Sequence, residues 1–292
     1  MANANLTAAK VNKNDEFYTR LEDIEREMAH YKPHFKGKVV YCNCDDATWS
    51  NFWRYFHLSF AHLGLKKLIS TGYNPGGTSY KAEYVGGNDT DITACVKTEF
   101  VGDGDFRSEE SVECLKEADI VVTNPPFSLF REYVAQLMEY NKKFLIIGSK
   151  NAITYKDFFP LLKENKVWIG YNSPSEFTTP NMTTQKFGNI GWYTNLDISK
   201  RHETIDLFKK YTPEEYPTYD NYDAINVDRV AYIPKDYDGV MGVPITFLDK
   251  YNPAQFELIK FRKGDDDKDL RYNGKEPYFR ILIKRNPNFV DE

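Results

Sequence analysis

Ile120-Val121-Val122-Thr123-Asn124-Pro125-Pro126-Phe127 is the stretch on which the architecture turns. Four strand formers in succession read as a buried β-strand. The proline pair then ends it, because proline fixes φ and has no N–H to give a sheet. On the amino-terminal side, Glu109 to Lys116 has helical character. On the carboxyl-terminal side, a helix over Ser128 to Tyr140 leads to the apolar run Phe144-Leu145-Ile146-Ile147. A further helix over Tyr155 to Glu164 leads to Val167-Trp168-Ile169. Three helix-then-strand units with apolar strands predict an α/β fold with a doubly wound, mostly parallel sheet. Ligands in such sheets sit beyond the carboxyl ends of the strands. The residues after Thr123 are therefore where chemistry is expected.

Upstream, Thr19-Arg20-Leu21-Glu22 has capping-box spacing, and Leu21, Ile24, Met28 and Tyr31 recur at helical intervals until Pro33. Lys38 to Cys44 reads as a strand, Ser50 as the cap of a helix running to His62 before Gly64, and Leu68-Ile69-Ser70 as a second strand. Between Gly72 and Gly102, alternation over Tyr80 to Val85 and Ile92 to Val101 predicts an inserted β-hairpin. After Leu196 no period is sustained; Tyr, Pro, Asp and Asn crowd Tyr211 to Asp238. Short β-like pieces follow at Val243 to Leu248, Phe256 to Phe261 and Tyr278 to Ile283. The expected division is a mobile polar leader over 1–14, a main domain over 15–196 with its hairpin at about 72–102, and a smaller region over 197–292.

A chain of 292 residues can bury a core without metal or disulfide staples. With 38 Lys and Arg against 43 Asp and Glu, the net charge of −5 excludes a generally basic coat. A local basic groove is still available. Lys260, Arg262, Lys263, Lys268, Arg271, Lys275, Arg280, Lys284 and Arg285 give Phe256 to Arg285 nine basic against six acidic residues. A duplex backbone can lie on such a segment, and an exposed mixed-charge face is the alternative. Aromatic residues make up 15% of the chain, which suits either stacking surfaces or a tyrosine-rich core. Cys42, Cys44, Cys95 and Cys114 form no metal-pair spacing and read as reduced thiols of a cytosolic chain. The five histidines show no metal spacing, and Asp265-Asp266-Asp267 reads as a solvated turn without EF-hand spacing, so no metal is expected. The longest apolar stretch is too short to cross a bilayer and residues 1–14 lack the apolar core of a signal peptide. The expectation is a cytoplasmic monomer with no membrane partner.

Asn124-Pro125-Pro126-Phe127 has a chemical reading as well as a structural one, the structural one being a rigid strand exit. The exocyclic amine of adenine is a poor nucleophile because its lone pair is delocalised into the ring. To attack a methyl electrophile its nitrogen must become more tetrahedral. Two acceptors, one per N–H, stabilise that geometry as charge develops. The Asn124 side-chain oxygen can be one acceptor and the backbone carbonyl of Pro125 the other. The prolines preset that carbonyl, and Phe127 offers a face for base stacking. No strong general base is needed, because the proton leaves an already acidic ammonium product. A base inside a duplex must be flipped out to reach such a site.

This motif resembles motif IV of the amino-methyltransferases that use S-adenosyl-L-methionine. Asp15-Glu16-Phe17-Tyr18-Thr19 resembles their motif X, which folds over the methionine end of the cofactor, and Gly102-Asp103-Gly104-Asp105-Phe106 resembles motif III. By that likeness Asp105 would accept from the cofactor's adenine amino group and Phe106 would offer a backbone N–H to its ring. The motif order is the γ-type. Thr123 to Phe130, Gly188-Asn189-Ile190-Gly191-Trp192 and Gly242-Val243-Pro244-Ile245-Thr246-Phe247-Leu248 resemble the EcoRI-type adenine-specific DNA methyltransferases, a likeness running from about Asn14 to Ile283. It implies a class I, Rossmann-like, seven-stranded sheet, with a cofactor-binding catalytic domain over 15–196 and a DNA-recognition region over 197–292. It also implies site-specific methylation of adenine N6 in double-stranded DNA, within restriction-modification. Trp192 would stack on the other face of the extruded base, the alternative being a core tryptophan. Lys260, Arg262, Lys263, Arg271 and Arg280 would meet the DNA backbone.

Two departures from the family pattern stand out. The glycine-rich first loop is replaced by Tyr41-Cys42-Asn43-Cys44-Asp45-Asp46, where Asp45 or Asp46 could bind the cofactor's ammonium and Asn43 a polar edge. A plain strand-to-helix turn with a capping acid is the alternative. The strand ending Ile69-Ser70-Thr71-Gly72-Tyr73 lacks the acid that usually grips the ribose, leaving Thr71 and Tyr73 as substitutes by position. Methylation of RNA adenine or of a protein glutamine would use the same acceptor geometry. A nucleic-acid-binding module without activity is the non-enzymatic alternative.

Overall fold

The computed structural model describes residues 18–179, 183–262, 269–277 and 279–289. The leader, Asp15-Glu16-Phe17, the Asp265-Asp266-Asp267 run, Lys263, Lys268 and Tyr278 lie outside them, as does the Arg262 side chain. In chain order the strands are β1 (Tyr18–Thr19), β2 (Val39–Asn43), β3 (Lys67–Thr71), β4 (Tyr80–Tyr84), β5 (Val96–Glu99), β6 (Ile120–Thr123), β7 (Lys143–Ser149), β8 (Trp168–Ile169), β9 (Glu176–Thr178), β10 (Thr184–Lys186), β11 (Ile190–Thr194), β12 (Ile225–Asn226), β13 (Met241–Pro244), β14 (Phe256–Arg262) and β15 (Arg280–Arg285). The helices are α1 (Leu21–Met28), α2 (Lys32–Phe35), α3 (Asn51–Leu58), α4 (Phe60–Leu63), α5 (Glu109–Glu117), α6 (Phe130–Glu139) and α7 (Phe159–Lys163).

Over the described residues the chain forms two compact units, Met1–Ala152 with Ile169–Leu196, and Ile153–Trp168 with Asp197–Glu292. The first unit is built on a mixed sheet of order β5-β4-β3-β2-β6-β7-β11-β8. The expected α/β class is present; the expected seven-stranded, mostly parallel sheet is not. Eight strands take part, and the parallel pairing runs only through β3, β2, β6 and β7. The hairpin causes the difference. Parallel neighbours need a crossover of a dozen or more residues. Only residues 72–79 separate β3 from β4, so β4 returns antiparallel along β3 and β5 follows it to the sheet edge. At the other side β11 lies antiparallel to β7.

The central strands β2 and β6 are apolar up to their last residues, Asn43 and Thr123, and every residue of both is buried, as a sheet covered on both faces requires. From β2 the chain moves outward to β3 and later returns to the other side of β2 as β6. Right-handed crossovers then send α3–α4 and α6 to opposite faces. The crevice this opens at the carboxyl ends of β2 and β6 is the switch point of an open α/β sheet. Gly148 in β7 admits the Phe130 ring of α6, which would sit 2.3 Å from a Cβ there. A small antiparallel sheet, β1-β9-β10, sets Tyr18 opposite Thr178 and Thr19 opposite Phe177.

Local expectations fare unevenly. Ser50 caps α3 as expected, its Oγ accepting from Phe52 N at 3.1 Å and Trp53 N at 3.5 Å. The run breaks at Ser59, and Gly64 closes α4 at φ 64°. Thr19 does not cap α1: Arg20 takes that place without a side-chain bond, because Thr19 is committed to β1. Pro33 does not stop α1, which ends at Met28; it opens α2, where a missing N–H costs nothing.

The second unit carries the sheet β12-β13-β15-β14, with β12 and β13 parallel and the other pairs antiparallel. Tyr219, Ala224, Leu270 and Leu282 form one core cluster there. The expected strand over Val243 to Leu248 ends at Pro244 and becomes a 3₁₀ turn over Ile245–Lys250. The long stretch over Tyr211 to Asp238 is mostly irregular, as its composition implies.

Candidate active site

A cleft of about 230 Å³ lies within the first unit. Its wall combines three groups of residues: Tyr18 and Thr19 from β1; Cys44, Asp45, Trp49 and Ser50 from the β2–α3 connection with Asn51 and Phe52 of α3; and Asn124 to Leu129 from the β6–α6 connection. Tyr73 and Gly104 to Arg107 complete it. Tyr18, Thr19, Asp45, Asp105, Phe106 and all of Asn124-Pro125-Pro126-Phe127 are thus brought together from positions far apart in the chain.

Asn124 follows the last residue of β6, and Pro126, at φ −54° and ψ 125°, extends the backbone before it turns. Leu129 N donates to Pro126 O at 3.0 Å, closing the 3₁₀ turn Phe127–Leu129 that leads into α6. The expected helix start at Ser128 is therefore a tighter turn, since the prolines deny the backbone its early donors. The Phe127 ring is half-buried and meets Phe177 and Phe187 edge-on, each centroid at 6.4 Å and 87°.

Asp45 is buried at the centre of the wall. Ser50 Oγ donates to its Oδ1 at 2.7 Å and Thr123 Oγ1 contacts its Oδ2. The Asn124 backbone N–H also reaches the carboxylate. Burial pushes this carboxyl up to about 7, against the lowering effect of Thr123, Ser50 and the Asn124 N–H. Cys44, just before it, stands at φ 69°, a left-handed conformation that favours glycine. The chain thus makes the sharp turn of a glycine loop with a cysteine.

Asp105 accepts from Arg107 at its backbone N (2.8 Å), Nε (2.9 Å) and Nη2 (2.7 Å), and this holds its carboxyl below the usual range. Phe106 is buried edge-on against Tyr133, with its carbonyl accepting from Gln136 Nε2 at 3.1 Å. Gly104 stands at φ +80°, where a Cβ would lie 2.1 Å from Gly72 O, so the two loops interlock only with glycine there. Asn51 Nδ2 donates to Thr19 O at 2.8 Å and ties β1 to the first turn of α3.

Four other expected residues lie off the wall. Asn43 is fully buried, its Oδ1 accepting from Thr71 Oγ1 at 3.3 Å, while Thr71 pairs with the Tyr41 hydroxyl at 2.7 Å. Asp46 accepts from Thr48 N of its own loop at 2.7 Å and from Tyr80 OH of β4 at 2.8 Å. Trp192 is fully buried in β11, 6.0 Å from the Phe52 ring and edge-on to it. That is a core position, because every residue of β11 is buried against its neighbours. In the second unit Arg280 is buried and its Nε donates to Asn226 Oδ1 at 3.1 Å, a bond that braces the sheet. Lys260 is exposed, and Arg271 Nε pairs with Glu276 at 2.7 Å.

Sequence reasoning missed Trp49 and Arg107. Trp49 is 44% exposed, with its ring 4.0 Å from that of Tyr18 at 39°. It belongs to a non-periodic loop, and only its position shortly after β2 marks it. Arg107 could have been found from its place beside Asp105.

The wall suits a cationic nucleoside. Two acids, Asp45 and Asp105, share the wall with one cation, Arg107, which Asp105 and Glu132 already bind. Thr19 lines the wall, and its Oγ1 is buried with no hydrogen-bond partner among the described residues. No cluster of three or more metal-ligating side chains occurs among the described residues, and no described helix is long and apolar enough to cross a membrane.

The family model for the adenine-specific methyltransferase EcoRI matches residues 5–286. The chain is 52% identical to the Type II methyltransferase M.EcoRI of Escherichia coli, across 96% of this chain and 95% of that one. It is 39% identical to M.MpnI of Mycoplasma pneumoniae (97% and 98% covered) and 38% identical to M.MgeORF184P of Mycoplasma genitalium (95% and 97% covered). No solved structure matches the chain.

Proposed function

This chain belongs to the adenine-specific methyltransferase EcoRI family, and on that premise we propose that it transfers a methyl group from S-adenosyl-L-methionine to N6 of a flipped-out adenine in double-stranded DNA. The observation that carries the reading is the placement of Asn124-Pro125-Pro126-Phe127 at the carboxyl end of β6, on one wall with Thr19, Asp45, Asp105 and Phe106.

When bound, the cofactor supplies an electrophilic methyl on a sulfonium. The chain does the rest. Thr19 and the first turn of α3 suit the carboxylate of the methionine end. Asp45 suits its ammonium, and Phe106 with Tyr73 suits the nucleoside end. Asp105 would reach the adenine amino group only by sharing a carboxylate that Arg107 already holds. Asn124 Oδ1 and the Pro125 carbonyl accept the two amine hydrogens and favour the pyramidal nitrogen. Phe127, held by two ring edges, stacks on the extruded base. The product ammonium is acidic enough to release its proton without a strong base.

Transfer of labelled methyl from S-adenosylmethionine to duplex DNA, RNA and protein extract, side by side, tests the reading. The expected product is N6-methyladenine in the duplex arm alone. Label confined to RNA or to a glutamine amide, or no label in any arm, refutes it.

A further inference from the structure

The hydrogen count at Thr123 points to a proton that no step above uses. Thr123 Oγ1 contacts two oxygens, Asn43 O and Asp45 Oδ2. The hydroxyl has one hydrogen to give. A peptide carbonyl gives none. With Asp45 ionised, one of the two contacts is an oxygen facing an oxygen with nothing between. With Oδ2 protonated the chain closes: Asp45 donates to Thr123, and Thr123 donates to Asn43 O. Asp45 Oδ1 is meanwhile filled by Ser50 Oγ at 2.7 Å.

Given the reading of this cleft as the cofactor site, on which the inference rests, we propose that Asp45 is a proton-linked positioning residue. In its protonated form it is a donor to Thr123 in the empty cleft, and it gives up that proton to the solvent when a cationic nucleoside binds. Asp45 is built for such a linkage because it touches both sides of it. It lines the cleft, and it holds Thr123 and the Asn124 N–H from behind. Loss of the proton turns an O–H donor to Thr123 into an acceptor and strengthens the bond that the carboxyl accepts from the Asn124 N–H. Occupancy at the methionine end is thereby transmitted to the acceptor that meets the base.

The surrounding groups leave Asp45 as the titrating member. Cys42 on β2 and Tyr133 on α6 are buried and pushed up in pKa by burial, away from neutral pH. Asp46 faces Asp45 electrostatically from the same loop and raises it, as burial does. Thr123, Ser50 and Ser70, contributed by β6, the α3 cap and β3, do not titrate. Asp105 and Arg107, the other charged groups on the wall, hold each other ionised.

The test is calorimetry of S-adenosylmethionine binding to the whole chain, in phosphate and in Tris, from pH 6 to pH 8. With Asp45 near pH 7 when free and ionised when bound, about half a proton leaves at pH 7, and affinity rises about tenfold from pH 6 to pH 8. The apparent enthalpy then differs between the two buffers. Asp45→Asn is expected to abolish that difference, and Asp45→Ser gives the same readout should the asparagine variant fail to fold. Tight binding with identical enthalpies in both buffers and flat affinity overturns the proposal while leaving the cofactor reading intact. A buffer difference that persists in both variants also overturns it. Absence of binding at every pH instead removes the cofactor reading, and the proposal falls with it.

Discussion

Replacing Trp49 with leucine tests whether the aromatic end of the cleft recognises charge. Trp49 is 44% exposed and packs at a tilt against Tyr18, the ring centroids 4.0 Å apart, and it lines the cleft. A cation against such a ring gains about 0.5–1 kcal/mol where exposed and about 2 kcal/mol where desolvated. The half-open setting of Trp49 lies between these limits. The leucine variant is expected to bind S-adenosylmethionine about twofold to thirtyfold more weakly. S-adenosylhomocysteine, whose sulfur is neutral, should lose only the contact area and weaken by a smaller factor. Fold stability should change little, because a ring this exposed contributes little core packing. Calorimetry with both ligands, on wild type and on Trp49→Leu and Trp49→Phe, reads the two factors separately. Equal weakening of both ligands would show that Trp49 packs against the ligand without sensing charge, and the cation argument would be wrong.

Other substitutions separate chemistry from scaffolding. Asn124→Ala removes one of two acceptors that act on the reacting nitrogen, so single-turnover methylation should slow by about 10²- to 10³-fold while cofactor affinity is largely kept; a wild-type rate would eliminate the acceptor mechanism. Gly104→Ala forces a side chain into the 2.1 Å gap to Gly72 O at φ +80°, and both thermal stability and cofactor affinity should fall, which melting with and without ligand will show. Glu27 is fully buried and accepts from Tyr31 OH, Tyr171 N, Asn172 N and Asn172 Nδ2 at 2.7–2.9 Å. Glu27→Gln turns one acceptor into a donor facing donors, and urea unfolding should report a loss of about 1–3 kcal/mol. Arg280→Met should lower stability through Asn226 and leave the salt dependence of DNA binding unchanged; a shallower salt slope would return Arg280 to the DNA face.

What the sequence determined by itself was local or short-range. The apolar runs at Ile120 to Thr123 and Phe144 to Ile147 are long enough to be read as central strands, and they are. Ser50 caps its helix because a hydroxyl at that position meets two free N–H groups, a relation confined to four residues. Asn124-Pro125-Pro126-Phe127 announces a strand exit because proline chemistry acts on its own backbone. The rest depended on distant partners. Whether Tyr80 to Tyr84 joins the sheet parallel or antiparallel was fixed by loop length against sheet position. Trp192 and Arg280 look like exposed functional side chains in one dimension, and only the fold shows that both are buried. Asp45 was readable as an acid near a ligand. Its proton follows only from Thr123, seventy-eight residues away, because one hydroxyl hydrogen must serve two oxygens that the fold brings together.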